Sequence, residues 1–245
     1  MDVKEITITK EVDRGSSPQS RVKAERTPDD GQKLTPADEI CSSVTHFFGF
    51  LLGVWGAKAL FADPAVFKDI FRFASSSIYS ASLLFAYAAS FISHATYGVS
   101  IRKKAEIADF SAIYLFIAGT YTPYLLMQLR GALGWGTLTS VWTFALGGVT
   151  NKIVSVARFR IAVSMRYTIM SYVFLGWLSL LYVPVMVRVL PLKAVYLTLA
   201  GVISYSIGGV IMNAKKIPMH HTIWHIFAML GSACHFFVIY NFVLI

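Results

Sequence analysis

Seven stretches of this chain are each long and apolar enough to cross a bilayer, and that one feature narrows the folds open to it. They run roughly over 40–62, 73–98, 108–129, 133–151, 167–187, 194–213 and 220–244. A membrane helix needs roughly 20 mainly apolar residues. Helices satisfy their backbone N–H and C=O groups internally, so a series of such spans reads as a helical bundle. Composition agrees: of 245 residues 56% are hydrophobic and only 14% charged, with a mean hydropathy of +0.59. Soluble domains carry about 25% charged residues. The expected fold class is therefore all-α, a polytopic integral membrane protein with a seven-transmembrane-helix bundle over 39–245.

Short breakers separate the spans, among them Asp63-Pro64, Arg102-Lys103-Lys104, Gly131 and Lys215-Lys216-Ile217-Pro218. Span four is the least regular, being rich in glycine and followed by an amphipathic segment over 152–166. No internal repeat is visible, which weighs against an inverted-repeat transporter. The first 38 residues are polar and lack the apolar stretch of a signal peptide. They are expected to form a disordered cytosolic tail. Cys41 and Cys234 each sit inside an apolar run, offer no disulfide framework, and read as small core residues.

The charges are unevenly placed. Residues 1–38 hold 7 of the 22 Lys+Arg and 8 of the 13 Asp+Glu, so the basic excess lies entirely in the apolar part. There it forms short clusters between spans, which suits membrane orientation and anionic head groups, not nucleic acid. With the tail in the cytosol, the inside loops carry Arg102, Lys103, Lys104, Lys152, Arg158, Arg160, Arg166, Lys215 and Lys216. The outside loops carry Lys68, Arg72, Arg130, Arg188 and Lys193. Nine against five predicts a cytosolic N-terminus and an external C-terminus. G-protein-coupled receptors have the reverse arrangement.

Ionisable residues inside a membrane are costly and mark function. With this topology, His94 lies near the inner end of span two. Asp109, His221 and His225 lie near the inner beginnings of spans three and seven. His46 is about two turns into span one from the same side. Residues distant in sequence thus share one depth. His221 and His225 are four residues apart on one helix face. With His94 they make three nitrogen ligands, the set of a catalytic zinc site that keeps one position open. All-nitrogen ligation favours zinc over iron, nickel or cobalt. Ser90 lies one turn before His94, and Asp109 is placed to accept a hydrogen bond from metal-bound water or to act as a general base. Glu39 reads as a cap of the first helix. His220 reads as an interfacial neighbour and His235, deeper, as a hydrogen-bonded packing residue. Gly119-Thr120-Tyr121-Thr122-Pro123 is expected to kink span three, with threonine hydroxyls meeting freed carbonyls.

These residues carry a resemblance. Glu39-Ile40-Cys41-Ser42-Ser43-Val44-Thr45-His46 resembles the first-helix motif of the hemolysin III family, and so does Ser90-Phe91-Ile92-Ser93-His94 on span two. The stretch from Asp109 to Pro123 is similar to the opening of the family's third span. Lys216-Ile217-Pro218 with His221, Trp224, His225, Gly231-Ser232 and His235-Phe236-Phe237 is the most specific match. The family is related to the adiponectin and progestin receptors and, more distantly, to alkaline ceramidases. The resemblance implies zinc on His94, His221 and His225, with Ser90 and Asp109 around the bound water. Two positions depart from the family's pattern, Ser93 where many members have an aromatic residue and Phe110 where many have His. Neither is a ligand.

The leading expectation is an intramembrane zinc hydrolase acting on a lipid amide or ester in membrane lipid homeostasis, with Asp109 and Ser90 as catalytic residues. Its expected partners are membrane lipids, and its expected location is the bacterial inner membrane. Two rivals stand beside it. One is a membrane-damaging cytolysin, which fits poorly with a polytopic chain. The other is a receptor or sensor with a structural zinc.

Overall fold

Thr35 and Pro36 start the first helix. The Thr35 hydroxyl accepts the Asp38 N–H at 3.1 Å, and Pro36 occupies a first-turn position where its missing N–H costs nothing. The computed structural model describes residues 34–96, 99–157 and 165–244. The tail before Leu34 and the loop residues Arg158 and Arg160 lie outside the described residues. Among the described residues eight α-helices follow in chain order: α1 (Pro36–Ala62), α2 (Ile70–Ala95), α3 (Val99–Met127), α4 (Ala132–Ala157), α5 (Met165–Trp177), α6 (Val183–Val189), α7 (Leu192–Asn213) and α8 (His220–Val238). A 3-10 turn over Leu178–Tyr182 joins α5 to α6, so these two make a single span, and a π-helical turn over Ile239–Leu244 extends α8.

The all-helical expectation holds, and among the described residues six helical spans are long and apolar enough to cross a membrane. The seventh expected span corresponds to α4. It has the length, 26 residues, but Gly134, Gly136, Gly147, Gly148 and a series of threonines dilute its apolarity. Its place in the bundle is also different. The helices α1, α2, α3, α5, α7 and α8 follow one another in a closed ring, with α8 returning to α1. Helix α4 packs outside that ring, its Val141 and Ala145 seated against Tyr172 and Leu175 of α5 and Tyr114 and Ala118 of α3.

Helix α1 shows how the solvent shapes the pattern. Phe48, Leu52 and Trp55 are more than half exposed, while Ser42, His46, Gly49, Gly53 and Gly56 face inward. Large apolar side chains point out and small or polar ones point in, as in a helix bathed in hydrocarbon. Cys41 departs from its expected core position and is exposed on the outer face. In the region expected to kink, α3 runs on through Pro123, and Thr120 and Thr122 donate to the carbonyls of Phe116 and Ala118, not to the Gly119 carbonyl that the proline leaves without its N–H partner. There α2 and α3 touch closely, since a Cβ on Gly119 would stand 2.0 Å from the Ser82 hydroxyl.

Ends matter as much as faces. Between α1 and α2, Asp69 accepts the N–H groups of Phe71 and Arg72 at 2.8 and 3.3 Å. The Phe71 N–H, with help from Arg130, holds its carboxyl below the usual range, so the cap stays ionised. Helix α8 begins differently. Its preceding residue, Met219, is left-handed at φ 57° and supplies no side-chain cap. Asp38 of α1 does so instead, accepting the Thr222 N–H at 3.0 Å across the bundle. This pins the start of α8 to the start of α1.

Candidate metal centre

The alternating run of the chain puts the beginnings of α1, α3 and α8 beside the end of α2. His94 sits near the last turn of α2, and His221 and His225 occupy the first two turns of α8. Their rings form a near-equilateral group, with centroids 4.6, 4.8 and 5.0 Å apart. One nitrogen from each lies within 4.8 Å of the other two. The Nε2 atoms of His94 and His221 are 3.0 Å apart. Two imidazole nitrogens held at 2.0–2.1 Å on one tetrahedral zinc would stand about 3.3 Å apart. That pair fits one ion with an adjustment of a few tenths of an ångström, and the His225 nitrogen, within 4.8 Å of both, completes the set.

The surroundings orient these nitrogens. His94 Nδ1 donates to the Glu39 carboxylate at 2.7 Å, and His225 Nδ1 donates to the Ser42 carbonyl at 3.1 Å. With Nδ1 protonated, each ring presents the Nε2 lone pair, the arrangement that metal-binding histidines generally use. His94 and His225 are buried and His221 is half-buried. Glu39 is also bound by Arg102, which in turn reaches Glu106 at 3.1 Å. The reading of Glu39 as a helix cap is thus corrected. Thr35 caps α1, and the Glu39 carboxylate is spent on His94 and Arg102. Sequence reasoning missed this because an acid in a first turn has an ordinary explanation. The available signal was its depth, shared with His94.

His46 packs against the group. Its ring lies flat on His225, centroids 3.6 Å apart at 9°, and edge-on to Tyr87 at 5.1 Å. Ser42 and Thr222 close the same side, their hydroxyls 3.2 Å apart. The structure also brings Ser90 and Asp109 to one cavity wall. Both border a cavity whose wall includes His46, His221 and His225. Asp109 is half-buried and lines this cavity. His220 is half-buried beside the cluster. His235 lies elsewhere, stacked on Tyr205, and its Nδ1 has no hydrogen-bond partner, unlike the hydrogen-bonded packing residue expected.

The cavity, of about 150 Å³, continues from this site through the ring. Along α3 it runs from Asp109 to Leu125, sixteen residues on and about 24 Å of helix, and it also touches Leu129 just past the end of α3. Phe116, Ile117, Leu125, Ile169, Val202 and Met186 line its length. A polar mouth with convergent donors thus opens onto a long apolar bore.

Ring and cluster together define a class, a multi-pass, all-helical membrane protein with a buried three-histidine group at one end of the bundle. The Haemolysin-III related family matches residues 34–236. The chain belongs to that family. It is 35% identical to Hemolysin-3 of Bacillus cereus over 207 residues, covering 84% of this chain and 92% of the relative. It is 38% identical to the Hemolysin-3 homolog of Bacillus subtilis over 206 residues, covering 84% and 94%. A more distant relative is the human Monocyte to macrophage differentiation factor, 25% identical over 228 residues, covering 89% and 90%.

Proposed function

We propose that the protein is a zinc-dependent hydrolase that cleaves an amide or ester bond of a membrane lipid. The observation that carries this reading is the convergence of three imidazole nitrogens beside Asp109 and Ser90 at the mouth of an apolar cavity. Zinc held by His94, His221 and His225 supplies a nucleophile from water at neutral pH and polarises a carbonyl. The remaining work belongs to the chain. Asp109 takes a proton from the attacking water and returns it to the departing amine or alcohol. The Ser90 hydroxyl donates to the oxygen on which negative charge develops. The cavity holds the acyl chain and shuts water from the reacting centre. Glu39 and the Ser42 carbonyl keep two imidazoles in the tautomer that ligation needs.

In this reading α4 completes a seven-span bundle, the N-terminus is cytosolic, the C-terminus is external, and the membrane is the bacterial inner one. Reporter fusions within Arg102–Lys104 and after Ile245 should then sit on opposite faces. Finding both on one face would remove the proposed topology. A sensor with a structural metal is supported less well, because Asp109 and Ser90 face the cavity beside the histidines. Direct membrane damage finds no support in a site enclosed by the ring. The decisive test is product formation. Purified protein in nanodiscs of mixed phospholipid and ceramide should release free fatty acid, and a chelator should stop it. If no lipid class yields product from zinc-loaded protein, the hydrolase reading fails and the sensor replaces it.

A further inference from the structure

The cavity wall carries a second polar group, far from the three histidines. Ten residues of α8, about 15 Å of rise, separate His225 from His235. His235 is 6% exposed, with its imidazole stacked on Tyr205 at 5.9 Å and edge-on to Tyr124 at 6.4 Å. Helix α7 makes room for that ring. A Cβ on Gly201 would come within 2.7 Å of the His235 Nε2. Two of its neighbours are paired, the Tyr205 hydroxyl with Ser232 at 2.9 Å and the Tyr124 hydroxyl with Thr198 at 3.3 Å. The Nδ1 of His235 is not paired. Buried polar atoms are nearly always satisfied, and one left against hydrocarbon costs free energy. All five side chains line the same cavity as Asp109 and His225.

A plain hydrocarbon chain running the length of this cavity would leave the imidazole facing methylenes. A chain bearing an oxygen at that depth would not. We propose that His235, with Tyr205, Tyr124 and Ser232, forms a second binding station that takes a hydroxyl or carbonyl oxygen borne partway along the acyl chain. This rests on the lipid reading of the cavity and names the acyl chains it selects. The imidazole exchanges one hydrogen bond with that oxygen, and the stacked tyrosines hold the ring in place to do so.

The test is equilibrium binding, independent of turnover. Full-length protein in nanodiscs is titrated with octadecanoate and with 12-hydroxyoctadecanoate, whose hydroxyl lies at a comparable distance from its carboxylate. One added hydrogen bond should make the hydroxy acid bind about threefold to tenfold more tightly. His235→Phe should remove that difference. A 2-hydroxy acid should show no gain on the wild type, which keeps the test decisive if the variant does not fold. Equal binding of the two acids by wild type overturns the proposal, as does a preference that survives His235→Phe or an absence of binding by either. A preference without lipid turnover would overturn only the hydrolase reading. Turnover without a preference would overturn only this station.

Discussion

Replacing His221 and His225 together by Ala will leave the purified protein without bound zinc, where wild type should carry one ion per chain. The two rings share one face of α8, and each supplies a nitrogen that converges with that of His94. Removing both leaves His94 as the sole imidazole of the set, far short of the four ligands that zinc takes. Metal analysis after gel filtration reads the outcome, and a monodisperse peak shows that the bundle has survived. Glu39→Gln should give an intermediate result. It keeps the shape but loses the carboxylate that orients His94, and loss of such an outer partner typically costs tenfold to a hundredfold in affinity. His235→Ala should retain the full metal content, because its ring stacks on Tyr205 and not on the cluster. A double variant that still binds one zinc per chain would show that the three histidines are not the site.

Asp109→Asn should separate chemistry from ligation. The amide has the size and reach of the carboxyl, yet it cannot accept a proton from water. Zinc content should stay at one per chain while lipid turnover falls by the factor of about 10²–10⁴ that a positioned base contributes. Ser90→Ala removes a single hydrogen bond and should cost less. The comparison depends on measuring metal and product in the same preparation. Full turnover by Asp109→Asn would remove the proposed base. Loss of zinc along with activity would make Asp109 a ligand, a role its half-buried place on the cavity wall does not suggest.

Much of this arrangement was legible in the residues alone. The spans are long apolar runs, and an apolar run in a bilayer has few options besides a helix. The order of those runs placed His94, Asp109, His221 and His225 at one depth without any side-chain contact, because alternate helices reverse direction. The spacing of His221 and His225 placed both on one face. Two of the expectations that failed did so for an identifiable reason. Cys41 sits in an apolar run but faces outward, since in a membrane helix apolar character does not mark the inside. Glu39 obeyed a rule about helix ends that its actual partners override.

What the tertiary structure alone decided is which groups touch. Asp38 capping α8 from another helix, Glu39 bridging His94 and Arg102, and His46 lying flat on His225 all join residues far apart in the chain. So do the exclusion of α4 from the ring and the continuous cavity that results. Periodicity reports a helix and its faces, which are local properties of hydrogen-bonded backbone. It carries no information on the rotation of one helix against the next, and that rotation is set by side chains packing across the whole bundle.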